Sequence, residues 1–276
     1  MTKIRFISDA TAGLPRAFCD REGVWIAPIG IQTQDGMLEE KWLEDMAEPE
    51  TMVGAKTSQA QVHVLFKLFE RALLAGEAVV CLTLSAALSG TYSAAKLAAE
   101  MLNADIHVID TKTGVGGQRI LIENAVKRRN EGKDLGEILS ALRYEIDHCT
   151  SLFTTGDLNA LRLSGRLSGA EALLGGMLKV HPVLGLDAQG AMQVLGKVRG
   201  EGRALDTLLG LLPEGKGRVA VCYTKELEKA QKLLERVKEM RPNSVPKLMR
   251  AGAVIACHLG LSAFGFVHIE SPEDAK

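Results

Sequence analysis

The residues best suited to hold a ligand are hydroxyls crowded into two turns. Residues 85 to 94 read SAALSGTYSA and follow the apolar run AVVCLTL, and residues 56 to 60 read KTSQA and precede an amphipathic stretch. A hydroxyl just before a helix sits beside unpaired backbone N–H groups and the positive end of the helix dipole, which suits a carboxylate or a phosphate. The same residues serve as helix N-caps, a common use of Ser and Thr. A cap needs one hydroxyl, whereas each of these turns carries several, so ligand site and cap stand level for Thr57, Ser58 and Ser89.

Other groups are weaker candidates. His258, in CHLGLSAFG, falls in a small-residue turn between a helix and the last strand, and a structural and a functional role fit it alike. Arg162 and Arg166 flank Ser164 and Gly165 in RLSGRLSG, and on local chemistry they read as solvated charge before an anion site. GLLPEGKG imitates phosphate-loop spacing from Gly210 to Lys216, but Gly217 stands where Ser or Thr would bind magnesium, and a strand follows. There is no G-x-S-x-G elbow, and Ser89 has no base close in sequence, although His258 could approach it in space. A serine acyl hydrolase using Ser89 and His258 is therefore the enzyme alternative. A small phosphate- or nucleotide-binding α/β protein is a third reading of the same helix N-termini.

Short apolar runs alternating with amphipathic segments must position these groups. KIRFIS, VWIAPIGI, AVVCLTLS and DIHVIDT alternate with helical patterns, which predicts a doubly wound parallel sheet covered on both faces. A helix over 59–74 is expected to bury Val62, Leu65, Phe66, Phe69, Leu73 and Leu74 and to stop at Gly76. A helix from Thr91 repeats Ala94, Ala95, Ala98 and Ala99 and can pack closely. Four polar sets follow the apolar runs: Ser8 to Thr11, Lys56 to Gln59, Ser85 to Thr91 and Asp110 to Thr113. They should lie along one sheet edge, where open parallel sheets bind ligands.

After a helix near 134–147 the pattern changes. Asp187 to Gly190 reads as a hairpin turn between two apolar runs, which puts antiparallel pairing in the second half. RVAVCYT, a charged helix at 225–240 and FGFVHIE complete a second α/β unit with a mixed sheet. The expected domains are 1–149 and 150–276, and only the tail SPEDAK reads as disordered.

Composition narrows the functions. The chain has 276 residues, 46% hydrophobic and 24% charged, enough for two domains. A net charge of −1 provides no global field for nucleic acid or a membrane surface. Five scattered cysteines lack zinc-site spacing, and no apolar run reaches the roughly 18 residues of a membrane span. With a strand beginning almost at the N-terminus, the chain reads as cytoplasmic, without metal or cofactor.

Taken in order, these segments resemble the DegV family of bacterial fatty-acid-binding proteins, which includes FakB-type subunits of fatty acid kinase. The segments are FISDATAGLP at 6–15, KTSQA at 56–60, LSAALSGTYSAA at 84–95 and VIDTKTGVGGQ at 108–118. They continue with DLNALRLSGRLSG at 157–169, LLGGMLKVHPVLGLDAQG at 173–190, KVR at 197–199 and CHLGLSAFG at 257–265. The resemblance implies a fatty acid in a tunnel between two domains, its carboxylate bonded by Thr57 or Ser58 and by Ser89, with His258 near the head group. It also implies that Arg166 and Arg199 match family arginines, that the protein is no enzyme by itself, and that a separate kinase phosphorylates the presented acyl group.

Departures are Ala10 for the usual Ser, Ala60 for Pro, Leu259 and Leu261 for Thr and Pro beside His258, and Gly200 where Thr is frequent. The hydroxyls survive these changes. A hexadecanoyl-length chain at roughly 0.8 kcal/mol per methylene offers on the order of 10 kcal/mol of gross transfer energy. Its carboxylate needs several donors if buried, and Gly90, without a side chain, would let backbone N–H groups approach it.

Overall fold

The computed structural model describes residues 3–42, 44, 55–167 and 180–274. Residues 168–179, which contain the end of the Arg/Gly/Ser loop and the start of the following apolar run, lie outside that description.

The first half opens with β1 (Ile4–Asp9), a 3-10 turn (Ala10–Ala12), α1 (Arg16–Glu22) and β2 (Trp25–Ala27). β3 (Ile29–Thr33), β4 (Gly36–Glu40) and the two-residue β5 (Lys56–Thr57) follow. Then come α2 (Val62–Leu74), β6 (Ala78–Thr83), α3 (Thr91–Leu102), β7 (Ile106–Asp110), α4 (Gly116–Asn130) and α5 (Leu135–Asp147). The second half contains β8 (Cys149–Thr154), α6 (Leu158–Ser164), β9 (Val180–Leu186), β10 (Met192–Arg199) and α7 (Glu201–Gly210). It ends with β11 (Arg218–Tyr223), α8 (Leu227–Met240), β12 (Lys247–Arg250), α9 (Ala253–Leu259) and β13 (Phe264–Ile269).

The parallel sheet has the order β2-β1-β6-β7. Its central strands are buried on both faces, as continuous apolar runs require. α2 and α3 pack on each other and on this sheet, and α3 turns Ala94, Ala95, Ala98 and Ala99 inward. α4 lies between this sheet and the second one, touching β1 and β6 on one side and β11 and β13 on the other. It is accordingly buried on nearly every face, from Gln118 through Ile120, Leu121 and Ile122 to Val126.

The second sheet, β10-β9-β8-β13-β11-β12, is antiparallel except for the parallel β11 and β12 pair. The expected turn joins β9 to β10, closed by the Asp187 N–H to Ala191 carbonyl bond at 2.9 Å. The second sheet begins at Cys149.

Four expectations change. VWIAPIGI is two strands: Pro28 lacks the N–H that would continue the ladder, and β3 leaves the parallel sheet to pair antiparallel with β4 and β5. The Lys56 to Gln59 set therefore belongs to this separate three-stranded sheet. α2 begins at Val62, three residues later than expected, and Leu74 is 83% exposed because the helix ends with that side chain facing outward. The C-terminal segment is tied down through Asp274: Arg128 bonds Glu273 at 2.9 Å, and Asp274 accepts from the Ser271 hydroxyl at 2.7 Å.

Candidate functional site

The carboxyl ends of β1, β6 and β7 are wired together by buried polar groups. Asp9 accepts the N–H groups of Leu84 at 2.8 Å and Thr11 at 3.0 Å, and an N–H of the Gln118 amide at 3.2 Å. Burial pushes its carboxyl above the ordinary range. Thr111 donates to the Thr83 carbonyl at 2.7 Å, and the Ser85 N–H donates to the Thr113 carbonyl at 2.9 Å. Ser8, Asp9 and Thr111 thus act as fasteners of the sheet edge, while Thr11 and Thr113 also face a cavity.

That cavity, of about 350 Å³, lies between the two sheets and is within the usual range for small-molecule sites of about 300–1,000 Å³. Its wall is mainly apolar, with Leu84 and Leu88 from the first half and Phe153, Leu186, Met192 and Phe266 from the second. The expected residues Thr57, Ser58, Ser89, Gly90, Arg166 and His258 all line it. Arg199 does not line it and stands exposed on β10, opposite Val180.

The two hydroxyl turns meet at one end. Thr91, fully buried, accepts the Ala60 N–H at 3.2 Å and shares a hydrogen bond of 3.0 Å with the Ser89 hydroxyl. Ser89 Oγ also accepts the Thr91 N–H at 3.2 Å. The space a Cβ would take at Gly90 is occupied by the amide end of the exposed Gln59 side chain, so the two turns touch there through a group that is free to swing aside.

Thr57 Oγ1 lies 2.8 Å from His258 Nε2. His258 sits in the last turn of α9, one residue before its end, and not in the following turn as expected. Its Nδ1 is buried without a hydrogen-bond partner. Burial, with the Arg166 charge second, pushes the imidazole down to about 4, so it is neutral at pH 7. Arg166 is exposed at the rim, where its Nε donates to the Leu88 carbonyl at 3.3 Å and Nη1 to the Ser164 carbonyl at 2.5 Å. Ser58 donates its N–H to Gly30 at 2.9 Å, leaving its side chain beside the cavity.

This geometry favours binding over acyl transfer. A nucleophile and base should bond each other, with a third group orienting the base. Here Ser89 is bonded to Thr91 and His258 to Thr57, and Nδ1 has no orienting carboxylate. Among the described residues no cluster of metal-ligating side chains occurs, and no helix is long and apolar enough to cross a membrane.

Several residues at the site escaped the sequence reading. Thr91, next to the lining residues Ser89 and Gly90, was legible only as part of LSGTY, with no signal for its long-range bond. Thr113 was legible in the set Asp110 to Thr113, but Ser151, bonded to it at 2.8 Å, comes from the other half and meets it only in the folded chain. Cys222 and Thr224 face the cavity from the end of β11, in a segment that reads as an ordinary buried strand.

Comparison with known proteins agrees with this architecture. Residues 3–271 match the family described as "Uncharacterised protein, DegV family". A DegV domain-containing protein of Clostridium perfringens is 27% identical, over 96% of this chain and 98% of that one. A fatty-acid-binding DegV family protein from Thermus thermophilus superposes with a TM-score of 0.87 at 26% identity, covering 98% of this chain and 100% of the other. DegV of Bacillus subtilis, described as a fatty acid binding protein, gives 0.85 at 25% identity, covering 98% and 99%. The chain belongs to the DegV family.

Proposed function

We propose that the protein holds a long-chain fatty acid in the cavity between its sheets and presents the carboxyl group to a kinase partner. The observation that carries this reading is an apolar cavity whose polar end holds Ser89, which accepts the Thr91 N–H, and Thr57, which shares a hydrogen bond with His258. With Thr91 accepting from Ala60 and donating to Ser89, the Ser89 oxygen accepts twice and its own proton is free. With the neutral His258 donating from Nε2, the Thr57 proton is free as well. A carboxylate only accepts, so two outward protons match it, and Ser58 on the same turn adds a third hydroxyl.

Buried charge is tolerated only when it is hydrogen-bonded, and these donors are neutral. Arg166 supplies the nearby cation from the rim, outside the enclosed part of the site. The fatty-acid-binding proteins of Thermus thermophilus and Bacillus subtilis, similar over nearly the whole chain, support the ligand class. In this reading the protein does no chemistry alone. A cytoplasmic kinase phosphorylates the acyl group at the rim that Arg166 occupies, and Arg199, exposed on β10 outside the cavity lining, is a further contact offered to that partner.

Native mass spectrometry of the purified protein tests the central claim. A bound species with the mass of a long-chain fatty acid is expected. Protein that stays ligand-free and takes up none of an added fatty acid would overturn it. Mixing loaded protein with a bacterial fatty acid kinase and ATP should then yield acyl phosphate.

A further inference from the structure

Glu40 ends β4, yet it is buried, and the carboxylate site makes no use of it. Its Oε2 accepts the N–H of Val254 in the first turn of α9 at 3.1 Å. A Cβ at Gly252 would overlap the same carboxylate, so the chain comes to Glu40 with no side chain in the way. At the far end of α9, His258 is bonded to Thr57 on β5. β4 and β5 flank β3 in one three-stranded sheet. That sheet grips α9 at both ends, and between the grips Val254 and Ile255 form part of the cavity wall.

We propose that Glu40 is a positioning residue for the ligand cavity: by holding the start of α9 it sets His258 against Thr57 and keeps the α9 wall closed, and its ionisation favours parting of β4 from α9. The cavity's occupant in this proposal is the fatty acid of the preceding section.

Among the described residues, the titratable groups facing Glu40 are Asp9, at the end of β1, and Cys257 on α9. Burial raises the Glu40 carboxyl to about 7, against the N–H groups of Val254 and Ala253, which lower it, while Asp9 adds to the rise. The closed contact is therefore fully favourable below about 4.5 and weakens as pH rises through about 7, because the ionised carboxylate gains water when the contact parts. A closed carboxyl near 7 and a hydrated one near 4.5 make the open fraction rise about tenfold between pH 6 and pH 8.

The test compares wild type with Glu40→Gln, which keeps the size and an accepting oxygen without the charge, and with Glu40→Ala, which removes the grip. The readouts are hydrogen-exchange protection of the α9 amides and the release rate of a fluorescent polyene fatty acid, each measured from pH 6 to pH 8. In wild type, protection relative to the unstructured rate should fall about tenfold and release should quicken about tenfold. Glu40→Gln, uncharged at every pH, should be flat and more protected and slower to release than wild type even at pH 6, as wild type is below about 4.5, and Glu40→Ala should be fast and flat. Identical pH profiles in wild type and Glu40→Gln would overturn the proposal, as would slow release from a folded Glu40→Ala. If Glu40→Ala does not fold, Glu40→Gln decides alone. If wild type binds no fatty acid, the reading of the cavity fails, and the exchange profiles still decide the role of Glu40.

Discussion

Removing the two outward hydroxyls together, by Thr57→Ala with Ser89→Ala, should weaken fatty acid binding while the fold persists. Each hydroxyl would donate to a charged acceptor, and such bonds contribute about 1.5–3 kcal/mol. At about 1.4 kcal/mol per decade, that is roughly tenfold to a hundredfold for each. As independent losses these multiply to on the order of a hundredfold to ten-thousandfold in the double variant, and coupling through the one shared carboxylate is read as the departure from that product. The substitutions also take a partner from His258 Nε2 and two donors' acceptor from Thr91. A drop in affinity alone would therefore not separate ligand binding from local loosening. Isothermal titration with a fatty acid and with its methyl ester separates them. The ester fills the same apolar wall but carries no charge, so its affinity should change several-fold less than that of the acid. Wild-type affinity for the acid in a folded double variant would refute the reasoning, and equal losses for acid and ester would show that the hydroxyls act only on the fold.

Three further outcomes follow from the contacts. Gly90→Ala puts a Cβ where the amide end of the exposed Gln59 lies, and with Gly90 in the right-handed helical region the side chain swings aside, so stability should change by no more than about 0.5 kcal/mol, read from the chemical denaturation midpoint; a loss of about 1 kcal/mol or more would show that the two turns are locked together there. A fluorophosphonate probe should leave Ser89 unlabelled because His258 is engaged by Thr57, and labelling there would restore the hydrolase alternative. Glu273 is held down at about 2, first by its hydrogen bond from Arg128, so its contribution is present above about 4.5 and is lost as pH falls towards 2. Acid titration of stability should be shallower in Glu273→Gln over that window, and superimposable curves would remove Glu273 from the tail's anchorage.

What the sequence revealed and what it hid divide along the range of the interactions. Apolar runs ending in hydroxyl-rich turns are local patterns, and they located Ser89 and Thr57 because turn and cap chemistry acts over a few residues. The alanine stripe of α3 and the hairpin at Asp187 to Gly190 were legible for the same reason. β5 has only two residues and shows no alternation, so nothing local announced its pairing with Ile31 and Gln32. Asp35-Gly36 did carry a hairpin signal for β3 and β4, but the run through Pro28 masked where β3 begins. Thr91 reads as a helix residue until Ala60, 31 positions earlier, is brought to its hydroxyl.

Glu40 marks the limit of such reading. In GMLEE it alternates with neighbours as an exposed strand carboxylate would, and its burial depends on Val254, 214 residues further on. His258 was ambiguous on local grounds because its meaning comes from Thr57, 201 residues away. The cavity is built from both sheets and its polar end is closed by a third, so each wall by itself has the composition of an ordinary core. A binding site of this kind comes into being when sheets dock. The positions that best report the docking are polar or glycine residues that their own segment leaves unexplained, as Glu40, Gly90 and Gly252 are here.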